Sequence, residues 1–396
     1  MRTIVTRIVR ILAALFVIAS FSAALPISTA APKAQTDITE SVPPTAPVHE
    51  TPMMVIDDIP SQRIAVSDAY TCAIDDNNKV WCWGSNASGN LGLGYASDEI
   101  FPERKVILGL KATSISITSD GRTCVTDDAG GVQCWGITRS NRDDADKDNV
   151  PVEKHAGLPT DKKFKRAGYG CFVDSDDLLW CEGQEGIAKR MGDIKFQSGG
   201  GSSSNGCAVS LDHSLYCWET GNNSSIPLDH PSDTPTKVEG ITAALLTTGR
   251  GTNCVVETNG TPHCWGINNL GQTGEDAKTG KSIDLSKLKV TSMDTTSRHT
   301  CVVDDRQVPW CWGGYYGGIV DGNKPLRGFG IPANYRNIEN FKAVTVATAP
   351  GRTCFVDTEG AFWCWGRNEN GELGNGTTTD SAVPVKVEGL TVALTP

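Results

Sequence analysis

From about residue 64 onward the apolar residues come in short stretches, each broken by Gly, Asn, Asp or Pro. Examples are SISI (114–117), AVTV (343–346), PTKVEGI (235–241) and PVKVEGL (384–390). Short apolar stretches bounded by turn residues predict β-strands. The one long apolar run, Ile11–Leu25, lies elsewhere. It follows a segment with Arg2, Arg7 and Arg10 and precedes Ser28-x-Ala30, a small-x-small cleavage site. That three-part order predicts a signal peptide over 1–30. At about 15 residues the run is shorter than the roughly 20 a membrane span needs. Residues 31–51 are rich in Pro and Thr, which predicts a flexible linker. The strand pattern then fills 52–396.

Within 52–396 the cysteines set a period. They pair as Cys72 with Cys82, Cys124 with Cys134, Cys171 with Cys181, Cys207 with Cys217, Cys254 with Cys264, Cys301 with Cys311 and Cys354 with Cys364. Each pair is ten residues apart, and none is left over. First members recur every 47 residues on average, a propeller-blade or solenoid period. The residues between each pair read as a β-hairpin. Gly130, Gly260 and Gly360, or Asn78, Asp177, His213 and Gln307, hold the place just past the midpoint. A three-residue hairpin loop ends in a left-handed residue there. That register sets the two cysteines opposite each other, at disulfide spacing. Paired cysteines behind an export signal read as structural disulfides. No CxxC or CxxH knuckle suggests zinc.

All ten Trp flank the second cysteine of a pair. Side chains alternate along a strand, so these indoles point away from sulfur and fill the space between units. Glu182 takes the Trp place in the third unit, and His263, in another Trp place, is expected to pack in its strand. A Gly/Asn-rich turn follows, as in GSNASGNLGLG (84–94) and GINNLGQTG (266–274). Then come a Pro-Val-x-Val strand, a Gly-Leu turn and a further strand, which makes four strands per unit.

Residues 351–376, GRTCFVDTEGAFWCWGRNENGELGNG, resemble the repeat of the regulator-of-chromosome-condensation family. The resemblance covers about 52–396. It implies an all-β, seven-bladed β-propeller of four-stranded blades. Pro52-Met-Met-Val and the terminal PVKVEGLTVALTP begin units they do not finish, so the ring is expected to close by overlapping N- and C-terminal strands. The family's namesake acts on a nuclear GTPase and on nucleosomes, but fold does not fix function. Here Asp+Glu is 46 against 36 Lys+Arg, a net charge of −10. That balance excludes nucleic-acid binding through phosphate neutralisation.

Motifs for chemistry are sparse. The six histidines form no HExxH. GEDAKTGKS (274–282) has five residues where a phosphate loop needs four. Gly199–Gly206 reads as a flexible connection. Asp144, Asp146 and Asp148 alternate as in a calcium loop, but Asn149 replaces the turn Gly and His155 replaces the bidentate Glu, so a solvated acidic loop is expected. Asn86, Asn222, Asn223 and Asn375 begin N-x-Ser/Thr sequons. No catalytic residue, cofactor or metal ligand is predicted. The expectation is a secreted or cell-surface, monomeric, non-enzymatic module with a protein partner and no nucleic acid, and a membrane role only if residues 1–30 are retained. Loops on a rigid frame carry specificity. The atypical loops nominate Arg139, Arg142, Tyr315 and Tyr316 as partner contacts. The alternatives are an envelope structural or carbohydrate-binding protein and, further off, a propeller enzyme acting on polysaccharide.

Overall fold

The structure is a computed structural model. It describes residues 60–118, 121–137, 146–183, 187–219, 232–249, 251–275, 284–314, 336–337 and 341–394, all within the compact unit Met53–Pro396. The segments expected as signal peptide (1–30) and linker (31–51), and residues 52–59, lie outside the described residues.

The described chain is all-β apart from two short 3-10 turns, Pro60–Arg63 and Leu285–Lys287. Within each sheet every strand pairs antiparallel with its neighbours in sequence, so each sheet is a meander. The first unit shows the plan: Ile64–Val66, Tyr70–Ile74, Lys79–Ser85, and the first half of Ile100–Ile117. The second half of that long strand pairs forward with Thr123–Asp127 and opens the next unit. Ala188–Gly201 and Ser232–Thr248 are shared between units in the same way. The bend between the halves falls at Gly109, Gly192 and Gly240, each with positive φ. This is the Gly-Leu turn of the sequence, where a left-handed residue lets the chain reverse without strain.

The cysteine hairpins form in the register that the spacing predicts. The two members of each pair sit directly opposite in their ladder. Disulfides join Cys72 to Cys82, Cys124 to Cys134, Cys171 to Cys181 and Cys207 to Cys217. The remaining three join Cys254 to Cys264, Cys301 to Cys311 and Cys354 to Cys364. No cysteine is free. The predicted left-handed position is left-handed in all seven hairpins, including Gln307 at φ 65°. Gln307 holds that conformation because the turn around it is tied at several points. Its N–H donates to the Asp304 carbonyl at 2.8 Å, and the Asp304 carboxylate accepts the N–H groups of Arg306 and Val308.

Asp304 is one of a repeated set. Asp75, Asp174, Asp304 and Asp357 each accept two backbone N–H groups of their hairpin and then the indole N–H of Trp81, Trp180, Trp310 or Trp363, at 2.7–3.0 Å. Asp127 does the same with Gln133. In the fifth unit Glu257 and His263 replace the pair and meet at 2.7 Å. His263 is therefore not packed in its strand. Its side chain is 47% exposed, because its acidic partner holds it at the surface.

The second Trp set fills the seams between units. Trp83, Trp135, Trp218 and Trp365 are almost fully buried. Trp135 packs among Leu91 and Ile107 of the preceding unit, and Trp365 among Cys301, Val303 and Cys311. Burying an indole removes about 150–250 Å² from water, about 4–6 kcal/mol at 25 cal/mol/Å² before ordering costs. Three of these indole N–H groups also find acceptors in the preceding turn. Trp83 donates to the Glu372 carbonyl, Trp135 to Asn90 and Trp312 to Gln272, at 2.7–3.0 Å.

One apolar cluster joins the two ends of the repeat array. It contains Ile64, Ala73 and Trp83 from the first unit and Phe362, Leu373, Val387, Leu390 and Val392 from the last. Arg104 reaches the carbonyls of Glu388 and Gly389 across the same seam. The terminal PVKVEGL is the outer strand of its own sheet, Ser381–Thr391. It pairs within the last unit, so among the described residues the ends meet through side chains and turns and not through a shared ladder.

Gly199–Gly206, expected as a flexible connection, is strand and hairpin. Gly199, Gly200 and Gly201 pair with Ala208, Cys207 and Gly206. The glycines answer to crowding. A Cβ on Gly200 would lie 2.3 Å from Thr248 Oγ1, and one on Gly168 would lie 2.2 Å from the Gly199 carbonyl. Three innermost strands approach there too closely for side chains.

Candidate functional site

Two features stand where a propeller could bind: the face that carries the irregular connections, and the cavity at the centre.

The connections that depart from the repeat share one origin. Residues 138–145, 184–186, 220–231, 276–283 and 315–335 all follow the third strand of their units, as does the regular turn at 84–94. Third strands run in the same sense in every meander, so these connections leave from equivalent strand ends. Tyr315, Tyr316, Arg139 and Arg142 fall in these segments and lie outside the described residues, as does Asp144. Asp146 uses a carboxylate oxygen to accept the Asp148 N–H at 3.1 Å. Among the described residues no three His, Cys, Asp or Glu side chains are grouped to hold a metal. The Asn86 sequon amide is buried and bonded to the Tyr95 carbonyl at 2.8 Å, so it serves the turn.

The same strand ends carry a chain of polar contacts between units. In four units the residue two before the first cysteine reaches sideways. Tyr70 Oη meets Thr123 Oγ1 at 2.9 Å, Arg122 meets Glu182 at 3.0 Å, and His299 Nε2 meets Thr353 Oγ1 at 3.0 Å. Arg352, 1% exposed, pairs with Glu372 at 3.3 Å and donates to the Ser67 carbonyl. Burial pulls the Arg352 guanidinium below its ordinary pKa, while Glu372 opposes that shift.

Glu182 explains the break in the Trp series. Oε1 accepts from Arg122 and from His155 Nε2 at 2.9 Å, and His155 Nδ1 accepts the Gly157 N–H at 3.2 Å. The last contact sets the tautomer, with the proton on Nε2. An ion-paired seam thus replaces an indole-filled one between the second and third units. His155 stands edge-on to Phe172, with ring centroids 5.2 Å apart.

Burial, aided by the neighbouring Arg298, holds the His299 imidazole down at about 4. A folded-state pKa below the unfolded value of about 6.5 means the unfolded chain binds more protons between those values. The contribution of His299 to stability is therefore full above pH 6.5 and lost as pH falls toward 4, about 3 kcal/mol at 1.36 kcal/mol per unit. Asp294 works in the other direction. Burial raises its carboxyl, so its neutral form favours the fold and that benefit fades as pH rises. The expected outcome is that His299→Gln flattens the fall in urea-unfolding free energy between pH 6.5 and 4. An unchanged slope would mean that His299 titrates normally.

The central cavity holds about 300 Å³. The innermost strand of every unit lines it, from Ala65–Val66 through Ile115–Ile117, Ala167, Ser198–Gly200, Leu246–Thr248 and Asp294 to Val346–Thr348. At one end its wall is Ser67, Tyr169, Gly249, Thr296 and Pro350, which belong to the turns between first and second strands. Those turns lie at the same strand ends from which the irregular connections leave. Sequence reasoning missed this cavity, because no local pattern encodes it.

Antiparallel meanders whose first strands share one central cavity define a β-propeller. Solved structures agree on the fold. Human WBSCR16 superposes with a TM-score of 0.64 at 18% identity, covering 78% of this chain and 93% of that one. The CRINKLY WD40 ectodomain of the Arabidopsis thaliana receptor kinase ACR4 gives 0.52 at 17% identity, over 77% and 95%. At such identities the likeness concerns fold alone. Within that class two stretches, residues 62–90 and 359–393, match the regulator of chromosome condensation (RCC1) repeat. The ultraviolet-B receptor UVR8 of Arabidopsis thaliana is 28% identical over 89 residues, 22% of this chain and 20% of that protein. Human protein RCC2 is 39% identical over 49 residues, 12% of this chain and 9% of RCC2. The chain thus spans a fifth or less of the length of these curated relatives.

Proposed function

We propose that this chain is a secreted, non-enzymatic, seven-bladed propeller that binds another protein through its loop-bearing face. The observation that carries the reading is the common origin of the irregular connections at the ends of third strands. Variable segments gathered on one side of a disulfide-braced scaffold make an adaptable surface on a rigid frame. Ring closure is supported by the apolar cluster between first and last units and by two contacts across it: Arg352 donates to the Ser67 carbonyl and Trp83 to the Glu372 carbonyl. Export is supported by seven disulfides, which persist in oxidising compartments, together with the tripartite pattern of residues 1–30. A non-enzymatic role is supported by the engagement of His155, Glu182, His299, Arg352 and Glu372 in seams between units.

The test is capture with the disulfide-bonded chain 31–396 from envelope and secreted proteins of the host and of neighbouring cells. One saturable protein partner is expected, weakened at least tenfold by Tyr315→Ala with Tyr316→Ala or by Arg139→Ala with Arg142→Ala. Retention on cell-wall material with no protein captured would overturn the reading in favour of an envelope or carbohydrate-binding role.

A further inference from the structure

The seven bridges share one register but not one degree of cover. Thirteen of the fourteen cysteines are 0–4% exposed. Cys264 is the exception and is only partly buried. Its strand, Pro262–Gly266, ends its sheet and pairs on one side alone, with Thr252–Glu257. In the other six units the third strand also pairs with a fourth. Among the described residues the fifth unit has none.

The cause lies in the segment that should cover the bridge. In the first, fourth and seventh units an apolar residue of the fourth strand packs with the disulfide: Ile107, Val238 and Val387, 0–7% exposed. Each stands five residues before Ala112, Ala243 or Val392, whose N–H donates to the carbonyl of the left-handed hairpin residue. Val290 makes that bond in the fifth unit, to Gly260, so the covering position falls to Leu285. Two residues further on, the other units have Gly109, Gly240 and Gly389, all left-handed. The fifth unit has Lys287 there. A side chain disfavours that bend, and the chain makes the 3-10 turn Leu285–Lys287 in its place. Leu285 is then only partly buried against the cluster that holds Cys254.

We propose that Cys254–Cys264 is a redox-labile bridge, a thiol–disulfide exchange site for an external dithiol, while the other six are structural. Exchange requires a thiolate to reach one sulfur, in line with the bond that breaks. Cys254 lies on the second strand and Cys264 directly opposite on the third. The line from Cys254 through Cys264 therefore leads outward, to the thinly covered side. The thiolate of the dithiol attacks Cys264 Sγ and forms a mixed disulfide, and Cys254 leaves as a thiolate that takes up a proton. The second thiolate of the dithiol then attacks its own sulfur in the mixed disulfide and releases Cys264, which is protonated in turn. Two electrons and two protons pass to the protein, and the dithiol closes to a disulfide. Around Cys254 the seam is apolar, with Val256, Val290, Val302 and Trp312. A reduced thiol there packs as a small apolar group, so exchange leaves the ring standing.

The experiment is limited reduction of the disulfide-bonded chain 31–396 with dithiothreitol, without denaturant, followed by iodoacetamide and mass mapping of the labelled cysteines. Cys254 and Cys264 are expected to label about tenfold or more faster than any other pair. Their rate should rise in proportion to dithiothreitol and change little in sub-denaturing urea, because attack occurs on the folded chain. The other six pairs should speed up with urea, because their seams must first open. Leu285→Ala thins the cover and should raise the rate at this pair about threefold or more without moving the others. Its urea midpoint checks that it folds; if it does not, the urea dependence of the unaltered chain decides. Labelling of all seven pairs at one rate, another pair labelled first, an unchanged rate in folded Leu285→Ala, or a urea dependence at Cys264 as steep as elsewhere would overturn the proposal. None of these outcomes bears on partner capture through the loops, so the two readings fail separately.

Discussion

Full reduction of the seven disulfides is expected to destabilise the protein far more than the loss of any one of them. Each bridge closes an 11-residue hairpin loop, and closing a loop of that length is worth about 2.5–3 kcal/mol in the chain-entropy model. The hairpins are local, so part of each ladder forms early and offsets less entropy than a long loop would. The cysteines are nearly all fully buried in the seams, and reduced thiols there stay packed as small apolar groups. Replacing Cys354 and Cys364 together by Ala should therefore lose about 2–3 kcal/mol in urea unfolding. Reduction of all seven should lose several times more, but less than seven times the single value. An unchanged midpoint after full reduction, verified by mass, would remove the bridges from the account of stability.

The second large effect concerns the seam between the ends of the array. Glu372→Gln leaves the Arg352 guanidinium 1% exposed without its carboxylate. Removing one member of a buried pair costs about 3–5 kcal/mol. Replacing both, as Arg352→Met with Glu372→Met, should recover much of that loss, because no charge is then left desolvated. By contrast, Arg367 and Glu369 are 46% and 65% exposed, and Arg367→Ala should cost under about 1 kcal/mol. Urea unfolding of the three variants gives the comparison. Equal small losses from Glu372→Gln and Arg367→Ala would mean that Arg352 and Glu372 are not a buried pair as described.

Much of this fold is legible in the sequence because the repeat states it seven times. Cysteine spacing fixes hairpin register, and the register fixes which residue must be left-handed. Even Gln307, an unfavoured residue for that conformation, adopts it. The Asp at a fixed place before the second cysteine is equally visible, but its role depends on a Trp six residues on that serves as its donor. His263 misleads because its position matches Trp while its partner position holds Glu257. Gly199–Gly201 misleads because a glycine run reads alike in a linker and in a strand pressed against its neighbours. Only Thr248, from the next unit, tells them apart. The cavity is the extreme case. Its lining residues come from seven segments spread over nearly 300 residues, and nothing local relates them.

The central claim is that one face of the propeller binds a protein. Hydrogen exchange of the captured complex against the free chain tests it most directly. The account predicts protection at the turns 84–94, 266–274 and 366–376 and at the irregular segments that share their strand ends. It predicts no change at the hairpin tips 75–78, 127–130, 304–307 and 357–360 on the other side. Protection confined to those hairpin tips would contradict it.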